Sequence, residues 1–255
     1  MKRKNSEKLI EPQKFKADDG TRLNKYISNS GVCSRREADQ LITQGKIKVN
    51  GQVITEMGYK IAHDAIVTYD DKPIKPQNYV YILLNKPAGT ITTTSDPENR
   101  KTVMDHIFKA TKERVYPVGR LDRNSSGLLL FTNDGDLTNA LTHPSKKITK
   151  IYAVTLDKPL TKTDFQKVVD GVELEDGLAE VDELAYTNGN DKCEVGVKIH
   201  SGKNRIIRRI FQSIGYNVVK LDRVVFGLLT KKDLPRGKWR FLTQLEVNKL
   251  KGEQA

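Results

Sequence analysis

One loop of this sequence carries a carboxylate in a setting that suits catalysis. Asp122 lies between Arg120 and Arg123, after Gly119, and a strongly apolar run begins at Gly127. Loops anchored by a rigid strand are common positions for catalytic groups, and a neighbouring guanidinium favours the ionised form of a carboxylate. Such an aspartate could act as a nucleophile or as a general base. The residues alone leave open the alternative that Asp122 only caps the backbone of its own turn.

A second stretch, residues 201–211, combines a glycine turn with several bases at the start of a predicted helix over 203–215. The bases at its start are Lys203, Arg205, Arg208 and Arg209. The three arginines follow i, i+3, i+4 spacing, so we expect them on one helix face, opposite an apolar face. Free N–H groups at a helix start and cationic side chains bind phosphate. A solvated arginine stripe is the alternative, and the near absence of nearby acids disfavours it.

A tyrosine occupies the middle of a predicted strand at Lys150–Val154, with inward alternation. Most tyrosines in this position are core residues whose hydroxyl finds a hydrogen-bond partner. The other use of such a ring is to stack on an unstacked base. From the residues alone, the core role of Tyr152 is the stronger interpretation.

The elements that would position these groups begin with a small module. Two short helices are predicted after residue 21, and Ser34 with Glu37 forms the capping-box pattern at the second of them. Asn50-Gly51 between two apolar runs predicts a hairpin. The bases of this module that could contact phosphates, or could simply be solvated, are Arg22, Lys25, Arg35 and Arg36.

Composition and periodicity predict the following organisation. We expect a disordered basic arm over residues 1–20, the small module over 21–66, a proline-containing linker over 67–78, a main domain over 79–250 and a short tail over 251–255. Strand-like runs lie at 79–84, 115–118, 127–132, 149–156, 178–187, 193–199 and 217–221. Helical patterns lie at 102–109, 135–142, 162–170, 203–215 and 243–250. Because this order does not repeat as βαβ units, we predict an α+β fold with a largely antiparallel sheet flanked by helices.

Charge and composition narrow the class of protein. The chain has 255 residues and a net charge of +12, which is typical of a protein that binds a polyanion. Residues 200–240 hold eleven bases and two acids, whereas residues 164–194 hold ten acids and two lysines. This segregation predicts one face for the polyanion and an acidic segment turned away from it. Chance clustering on a solvated surface is the alternative.

Several classes are disfavoured by what the sequence lacks. No apolar run approaches the ~18 residues of a membrane-spanning helix, and no apolar region follows the basic start as in a secretory signal. Two isolated cysteines and four scattered histidines lack metal-ligand spacing, and neither glycine-rich nucleotide-binding motif is present. We therefore expect a cytoplasmic protein without a metal or another cofactor.

Taken together, these residues resemble a known family. The small module is similar to an S4 RNA-binding domain, and the rest is similar to the RsuA-type pseudouridine synthases, over about residues 21–250. The S4-like segments are Arg22–Ile27, Gly31–Asp39 and Val49–Gly51, and the synthase-like motifs are Asn85–Gly89, Gly119–Leu130, Lys150–Tyr152 and Gly202–Arg209.

The resemblance implies an enzyme that isomerises uridine to pseudouridine in RNA without a cofactor. By this resemblance Asp122 is the catalytic aspartate, Tyr152 stacks on the target base and assists proton abstraction at C5, and Arg208 pairs with the aspartate. Arg120 would help to hold the place of the flipped nucleotide. The Lys86-Pro87 motif would shape the loop under the site.

The resemblance also implies a partner, ribosomal RNA, and most closely 23S rRNA, either as naked rRNA or within an assembling large subunit. The alternatives are a 16S rRNA enzyme and a non-catalytic RNA-binding assembly factor. The other basic residues, those of the helix start and of the small module, would contact RNA. A monomer is the default expectation.

Overall fold

The computed structural model describes residues 13–187, 189 and 191–252. These residues separate into two units. The small unit contains residues 13–80 together with Thr111–Val115, and the large unit contains Tyr81–Ala110 and residues 116–252. Thr111–Val115 is thus part of the small unit although the residues on both sides of it in sequence belong to the large one.

The small unit is built from short elements. Its described helices are α1 (Leu23–Asn29) and α2 (Arg35–Thr43), and its described strands are β1 (Thr21–Arg22), β2 (Ile47–Val49), β3 (Gln52–Val53), β4 (Lys60–Ile61), β5 (Val67–Tyr69) and β6 (Lys72–Pro73). β1 pairs with β4, and the other four strands form an antiparallel sheet in the order β3-β2-β5-β6. The fully buried side chains at its centre include Leu23, Ile27, Ala38 and Ile47.

Two local signals in the small unit are confirmed. The Ser34 side chain accepts a hydrogen bond from the Glu37 backbone, and the Glu37 carboxylate accepts one from the Ser34 backbone, which completes the capping box. Asn50 and Gly51 both have positive φ, 50° and 82°, and connect β2 to β3. A tight hairpin needs this left-handed conformation, which glycine and asparagine adopt most readily.

The structure differs from the predicted linker over residues 67–78. β5 pairs with β2, and Val67, opposite Val49, is buried in the core of the small unit. Pro73 lies in β6, at the edge of the sheet, where the missing N–H of a proline costs no ladder hydrogen bond. Pro73 therefore lies in an edge strand and Pro76 follows that strand, so the two prolines do not mark an unstructured linker.

The predicted disordered arm is also wrong for the part that the structure describes. Phe15 is buried in the core of the small unit, and Lys14 forms a β-bridge with Asn78. One aromatic residue in a polar stretch was too weak a signal to predict this packing. Residues 1–12 of the predicted arm, and residues 253–255 of the predicted tail, lie outside the described residues.

The large unit contains the remaining elements. Its described helices are α3 (Met104–Ile107), α4 (Gly135–Thr142), α5 (Lys162–Asp170), α6 (Ile206–Ser213) and α7 (Gln244–Lys251), with one short 3-10 helix at Pro144–Lys146. Its described strands are β7 (Tyr81–Lys86), β8 (Tyr116–Pro117), β9 (Ser126–Thr132), β10 (Lys150–Leu156), β11 (Val172–Leu174), β12 (Gly177–Ala179), β13 (Glu183–Tyr186), β14 (Glu194–Ile199), β15 (Val218–Phe226), β16 (Leu229–Thr230) and β17 (Trp239–Phe241).

One large sheet organises this unit. Its strand order is β13-β14-β10-β15-β9-β7-β17, with β16 paired to β15 and β8 paired to β9. Within the described residues every pairing in it is antiparallel except that of β9 with β15. The small hairpin β11–β12 is separate from it. The α+β class with a largely antiparallel sheet is therefore confirmed.

The parallel contact between β9 and β15 depends on Gly127. This residue has φ +110°, and a Cβ placed there would lie 2.3 Å from the Arg223 carbonyl oxygen and 2.4 Å from the Arg223 nitrogen. Only glycine lets the two backbones approach so closely. The glycine at the end of the Asp122 loop is therefore required by the sheet, which fixes where that loop joins it.

The centre of the sheet is the most deeply buried part of the large unit. All six residues of β7 are buried, and so are all residues of β9 after Ser126. The Asp122 loop leads into β9, so it is anchored to a buried central strand, which is among the most stable parts of a fold. Across the described ranges, each helix falls short of the length and apolar character needed to cross a bilayer.

Candidate active site

A cleft of about 200 Å³ lies in the large unit beside β10 and β15. One wall is the loop that contains Asp122, and the other is the segment that leads into α6. Tyr152, Arg120 and Arg205 line it, so chain segments far apart in sequence meet here. Its apolar lining includes Ile199, Ile206, Leu221 and Phe226. The cleft is too small for a paired duplex, whereas a single extruded nucleoside has a suitable size.

The Asp122 loop is held from below by Lys86. This lysine has no exposed surface, and its ammonium donates hydrogen bonds to backbone carbonyls of the loop. The acceptors are the carbonyl oxygens of Ser125 at 2.7 Å, Asp122 at 3.1 Å, Arg123 at 3.3 Å and, just after the strand, Pro87 at 3.1 Å. Burial lowers the pKa of Lys86 to about 8, although the nearby Asp122 charge opposes the shift. The geometry agrees with the loop-shaping role expected for this motif.

The carboxylate of Asp122 is in contact with two arginines. Arg205 Nη1 lies 3.4 Å and Arg208 Nε lies 3.8 Å from Asp122 Oδ2. Charge-assisted hydrogen bonds are usually shorter, about 2.7–2.9 Å, so these contacts orient the carboxylate without saturating it. Its side chain is 28% exposed. Asp122 is therefore a charged, positioned group with oxygens available to a ligand in the cleft.

The arginines next to Asp122 in sequence are not its ion-pair partners among the described residues, whereas Arg208, which the resemblance pairs with the aspartate, lies beside it. Arg120 and Arg123 are its neighbours in the chain, but its ion pairs in the described structure come from Arg205 and Arg208, more than 80 positions away. The Asp122 side chain makes no cap of its own turn; that turn is closed by the backbone bond from Ser125 to the Asp122 carbonyl. The capping alternative is thus not what the structure shows.

Arg208 is a largely buried cation behind Asp122. Its side chain is 13% exposed, and Nη1 donates to the Val218 carbonyl oxygen at 2.7 Å. Nε and Nη2 are buried without a hydrogen-bond partner among the described residues. Burial and the neighbouring Arg205 lower the pKa of Arg208, whereas Asp122 raises it. Arg208 therefore places a cation behind the Asp122 carboxylate, at a distance longer than a direct hydrogen bond.

Tyr152 lies on β10 and faces the cleft, with 8% of its surface exposed. Its hydroxyl has no hydrogen-bond partner within the described ranges. The ring is therefore both packed in the sheet and available at one side, so the two interpretations of this residue are compatible. Lys150, two residues earlier on the same strand, donates to the carbonyl oxygens of His200 at 2.8 Å and Ile148 at 3.1 Å.

The bases at the start of α6 do not share one face. α6 begins only at Ile206, and Arg205 has a left-handed backbone conformation with φ 48°, so it projects at the cleft margin. Arg208 turns toward Asp122, whereas Arg209 makes two hydrogen bonds, of 2.6 and 3.0 Å, to the Asp176 carboxylate. A left-handed residue at the first arginine breaks the helical spacing from which one face was predicted.

The acidic segment was predicted to face away from the basic stretch, and this is wrong for Asp176. Besides Arg209, this carboxylate lies 3.7 Å from Lys203 Nζ, which also donates to the Asp176 carbonyl oxygen at 2.8 Å. Arg209 lowers the pKa of Asp176 to about 2. The turn between β11 and β12 brings this acid next to α6, which no local pattern indicates.

The small unit carries its own predicted RNA-contacting residues. Arg22 precedes α1, and Arg35 and Arg36 are the first two residues of α2. All three side chains are exposed. Cations at a helix start interact unfavourably with the helix dipole. An anion bound at the start of α2 would offset this effect of Arg35 and Arg36. Lys25 is half-buried, with its ammonium 5.2 Å from the centre of the Phe15 ring.

Three residues of the cleft were not singled out from the sequence. Lys150 belongs to one of the synthase-like motifs but is not predicted to have a role of its own. Ser125 and Arg223 are not predicted as site residues. Ser125 and Arg223 are almost fully buried, and each has a polar atom without a partner in the described structure. The predicted strand ends at residue 221, whereas β15 continues to Phe226, so the charge of Arg223 between apolar residues is the signal that could have revealed it.

Comparisons with known proteins give matches to both units of the chain. The family model described as RNA pseudouridylate synthase matches residues 80–213, and that of the S4 domain matches residues 21–67. An RNA pseudouridine synthase of Aquifex aeolicus is 39% identical over 234 residues, which are 90% of this chain and 93% of the relative. The ribosomal large subunit pseudouridine synthase B of Bacillus subtilis is 40% identical over 233 residues, 90% of this chain and 95% of the relative.

A solved structure gives the same result at the level of the fold. A crystal structure of a pseudouridylate synthase has a TM-score of 0.64 and 27% identity, covering 90% of this chain and 99% of that chain. The fold of the large unit is thus that of a pseudouridine synthase, an isomerase that acts on RNA. The chain belongs to the RNA pseudouridylate synthase family and carries an S4 domain before its catalytic unit.

Proposed function

We propose that this protein isomerises specific uridines of ribosomal RNA, and of 23S rRNA in particular, to pseudouridine. Two relatives support the choice of RNA, since the Bacillus subtilis protein and a Vibrio cholerae protein of 39% identity are both named ribosomal large subunit pseudouridine synthase B. The reaction moves one glycosidic bond within a nucleotide and changes neither composition nor redox state. It therefore consumes no oxidant, reductant or group donor, and in this proposal no metal or other cofactor takes part.

The observation that carries the proposed mechanism is the Asp122 carboxylate in the cleft, oriented by Arg205 and Arg208 and not saturated by them. In this proposal Asp122 attacks C1′ of the ribose, or removes a ribose proton to give a glycal. Uracil then detaches, rotates and bonds again to C1′ through C5. Both routes need an ionised aspartate close to the sugar.

The other cleft residues have supporting roles in this proposal. Tyr152 stacks on the target base and assists removal of the C5 proton, for which its cleft-facing ring and available hydroxyl are suited. Arg208 positions Asp122. Arg120, exposed at the cleft, holds the place that the target nucleotide leaves in the RNA.

RNA affinity would come from the remaining bases. Extruding a base costs a few kcal/mol, which contacts to neighbouring phosphates can offset. We assign these contacts in the large unit to Arg205, Lys203 and Arg209, of which the last two also neutralise Asp176. The S4 domain contributes the second group: Arg22, Lys25, Arg35 and Arg36. A second, tethered RNA contact raises the effective concentration of the first.

Replacement of Asp122 by asparagine tests the mechanism. Asp122→Asn should abolish pseudouridine formation in rRNA fragments while RNA affinity changes by no more than about threefold, because a single carboxylate contributes little to a basic contact surface. Asp170→Asn, at the exposed end of α5, is the matched control and should keep full activity. Near-normal turnover by Asp122→Asn would remove this residue from the mechanism.

The RNA target has a separate test. Pseudouridines mapped in both rRNAs of a strain that lacks this protein should disappear from 23S rRNA and persist in 16S rRNA. Loss from 16S rRNA alone would replace the proposed target by the small-subunit one. Incubating the protein with purified rRNA and, in parallel, with assembling large-subunit particles would identify the form of the substrate. Sedimentation of the protein from the cytoplasmic fraction should show a monomer.

A further inference from the structure

Arg223 is a buried cation at the floor of the cleft with no role in the mechanism above. It is 3% exposed and lines the cleft from β15. Its Nε donates to the Leu128 carbonyl oxygen at 2.8 Å, and its guanidinium lies 4.6 Å from the centre of the Phe226 ring. Nη2 is buried and has no hydrogen-bond partner among the described residues.

Arg223 lies where a base stacked on Tyr152 would be. Tyr152 and Arg223 are directly paired across β10 and β15, so their side chains share the cleft face of the sheet. Ser125, whose buried hydroxyl oxygen also lacks a partner in the described part of the chain, lines the same cleft. Buried polar atoms normally have partners, and two exceptions at one cleft indicate atoms reserved for a ligand.

The floor of the cleft also carries excess positive charge. Lys150 adds a second, half-buried cation, and its pKa is lowered to about 8 by burial and by the charge of Arg223. Asp182, which pairs with His200 at 2.6 Å, compensates only in part. Asp222, the carboxylate next to Arg223 in sequence, is already occupied by Arg236 and Lys231.

The ligand that fits this floor is a base rather than a phosphate. Apolar side chains such as Leu221 and Phe226 surround Arg223, and they suit the faces of a planar ring. Phosphates, which remain hydrated, are served by exposed cations at the margin, such as Arg205. A group that gains negative charge only during the reaction would benefit most from a preorganised, buried donor.

We propose that Arg223 donates a hydrogen bond to a carbonyl oxygen of the target uracil and, together with the charge of Lys150, stabilises the anion of the detached base. The inference rests on the proposed isomerisation. When the C1′–N1 bond breaks, its electron pair leaves with uracil and is shared over N1, C5 and the two carbonyl oxygens, so that C5 can attack C1′. After C5 has bonded to C1′, C5 loses its proton and N1 gains one, so the charge is transient.

The first test replaces Arg223 and measures single-turnover rates on an rRNA fragment. Arg223→Met should lower the rate by about 100-fold or more, as expected for loss of one preorganised donor to a developing anion, and leave RNA affinity nearly unchanged. Arg223→Lys, which keeps the charge, should recover part of the rate. Arg240→Met, which removes an arginine paired with Glu246, is the matched control and should keep the wild-type rate.

The second test separates catalysis from structural support. A fluorine at C5 makes uracil more acidic, so 5-fluorouracil needs less help to leave as an anion. Arg223→Met should therefore slow two reactions by different factors. The rate of cleavage of the C1′–N1 bond of 5-fluorouridine should fall by a clearly smaller factor than the rate of pseudouridine formation from uridine. Equal factors for both substrates would mean that Arg223 only supports the Leu128 backbone, and the proposal would be overturned.

The outcomes distinguish this inference from the proposed function. If the wild-type protein forms no pseudouridine in any rRNA, the proposed function fails; if it does and Arg223→Met has the wild-type rate, only the inference fails. If melting shows that Arg223→Met does not fold, the two-substrate comparison is made with Arg223→Lys. An unequal effect is again required, and equal factors again overturn the proposal.

Discussion

Two aspartates on either side of the start of β9 are held in opposite ways. The carboxylate of Asp122 makes only long contacts, of 3.4 and 3.8 Å, and its loop is fixed through backbone carbonyls bound by Lys86. The carboxylate of Asp222, on β15, accepts hydrogen bonds from Arg236 at 2.8 and 2.9 Å, from Lys231 at 2.5 Å and from Ser126 at 3.1 Å.

The difference shows how one residue type serves two purposes. Asp222 is bound through its oxygens, so it links β15, β9 and the segment after β16, and nothing of it remains for a substrate. Burial alone would raise its pKa, but the hydrogen bonds from Arg236 and Lys231 outweigh burial and the pKa lies below its ordinary value. Asp122 is positioned through its main chain, which leaves its oxygens free to react.

The largest expected effect is that of Lys86→Met. The variant leaves several buried carbonyl oxygens of the Asp122 loop without a donor, so the free energy of unfolding should fall by about 4 kcal/mol. Activity should be lost even where urea titration shows a folded protein, because the loop no longer places Asp122.

The control for that variant is Lys162→Met, at an exposed position of α5, which should stay within about 0.5 kcal/mol of the wild type. A folded Lys86→Met protein with wild-type turnover would disprove the idea that Asp122 is positioned through its backbone.

The next effect separates the two aspartates directly. Asp222→Asn leaves Arg236 and Lys231, which are 41% and 35% exposed, without their carboxylate and should cost about 2 kcal/mol of stability. Asp122→Asn removes only long contacts and should cost less than about 1 kcal/mol. Urea unfolding of both variants measures this contrast, and equal losses of stability would contradict the comparison.

High pH should weaken the positioning of the loop. The folded pKa of Lys86, about 8, lies below the ordinary value of 10.5. Between these pH values the unfolded chain keeps a proton that the folded protein has lost, so this group makes the free energy of unfolding rise with pH. Activity should change in the opposite sense and fall as pH rises through about 8, because the ammonium donors disappear.

Lys150 adds to the same effect, since its pKa is also about 8 and it holds the opposite wall of the cleft. Single-turnover rates and urea midpoints measured together from pH 7 to high pH test the prediction. A rate that stays constant to pH 9.5 would speak against it.

The smallest effect concerns acid. The pKa of Asp222 is below its ordinary value of 3.8 in the folded protein, so its stabilising contribution is complete above 3.8 and is lost as pH falls through the folded pKa. The stability difference between the wild type and Asp222→Asn should therefore shrink at low pH. A difference that stays constant down to the acid transition would show that the charge of Asp222 is not what stabilises this region.

Features encoded locally could be predicted from the sequence. The Ser34–Glu37 capping box, the Asn50-Gly51 hairpin and the buried strand after residue 79 each depend on neighbouring residues, and all three are found. The position of Asp122 in a loop before an apolar strand was visible for the same reason. Motifs around it were sufficient to indicate the family.

Contacts between distant segments could not be predicted. Nothing near Asp122 shows that Arg205 is its partner, and nothing near Arg209 shows that Asp176 is close to it. Lys86 and Arg223 are charged residues in fully buried positions, where composition rules place apolar ones. Backbone carbonyls of other segments accept hydrogen bonds from Lys86 and from Nε of Arg223, which neighbouring residues in sequence do not reveal.

The Thr111–Val115 segment of the small unit has a consequence for dissecting this protein. Val115 is buried, and the Arg114 backbone donates to the Gln77 side chain at 3.2 Å, so the segment is part of the fold of that unit. A truncation after residue 80 would produce an S4 fragment without these contacts. The opposite deletion would leave the same five residues in the catalytic fragment without their packing partners. The S4 unit therefore cannot be removed by one cut without losing part of its own fold. Point substitutions of its basic residues are better suited to testing its role in RNA binding.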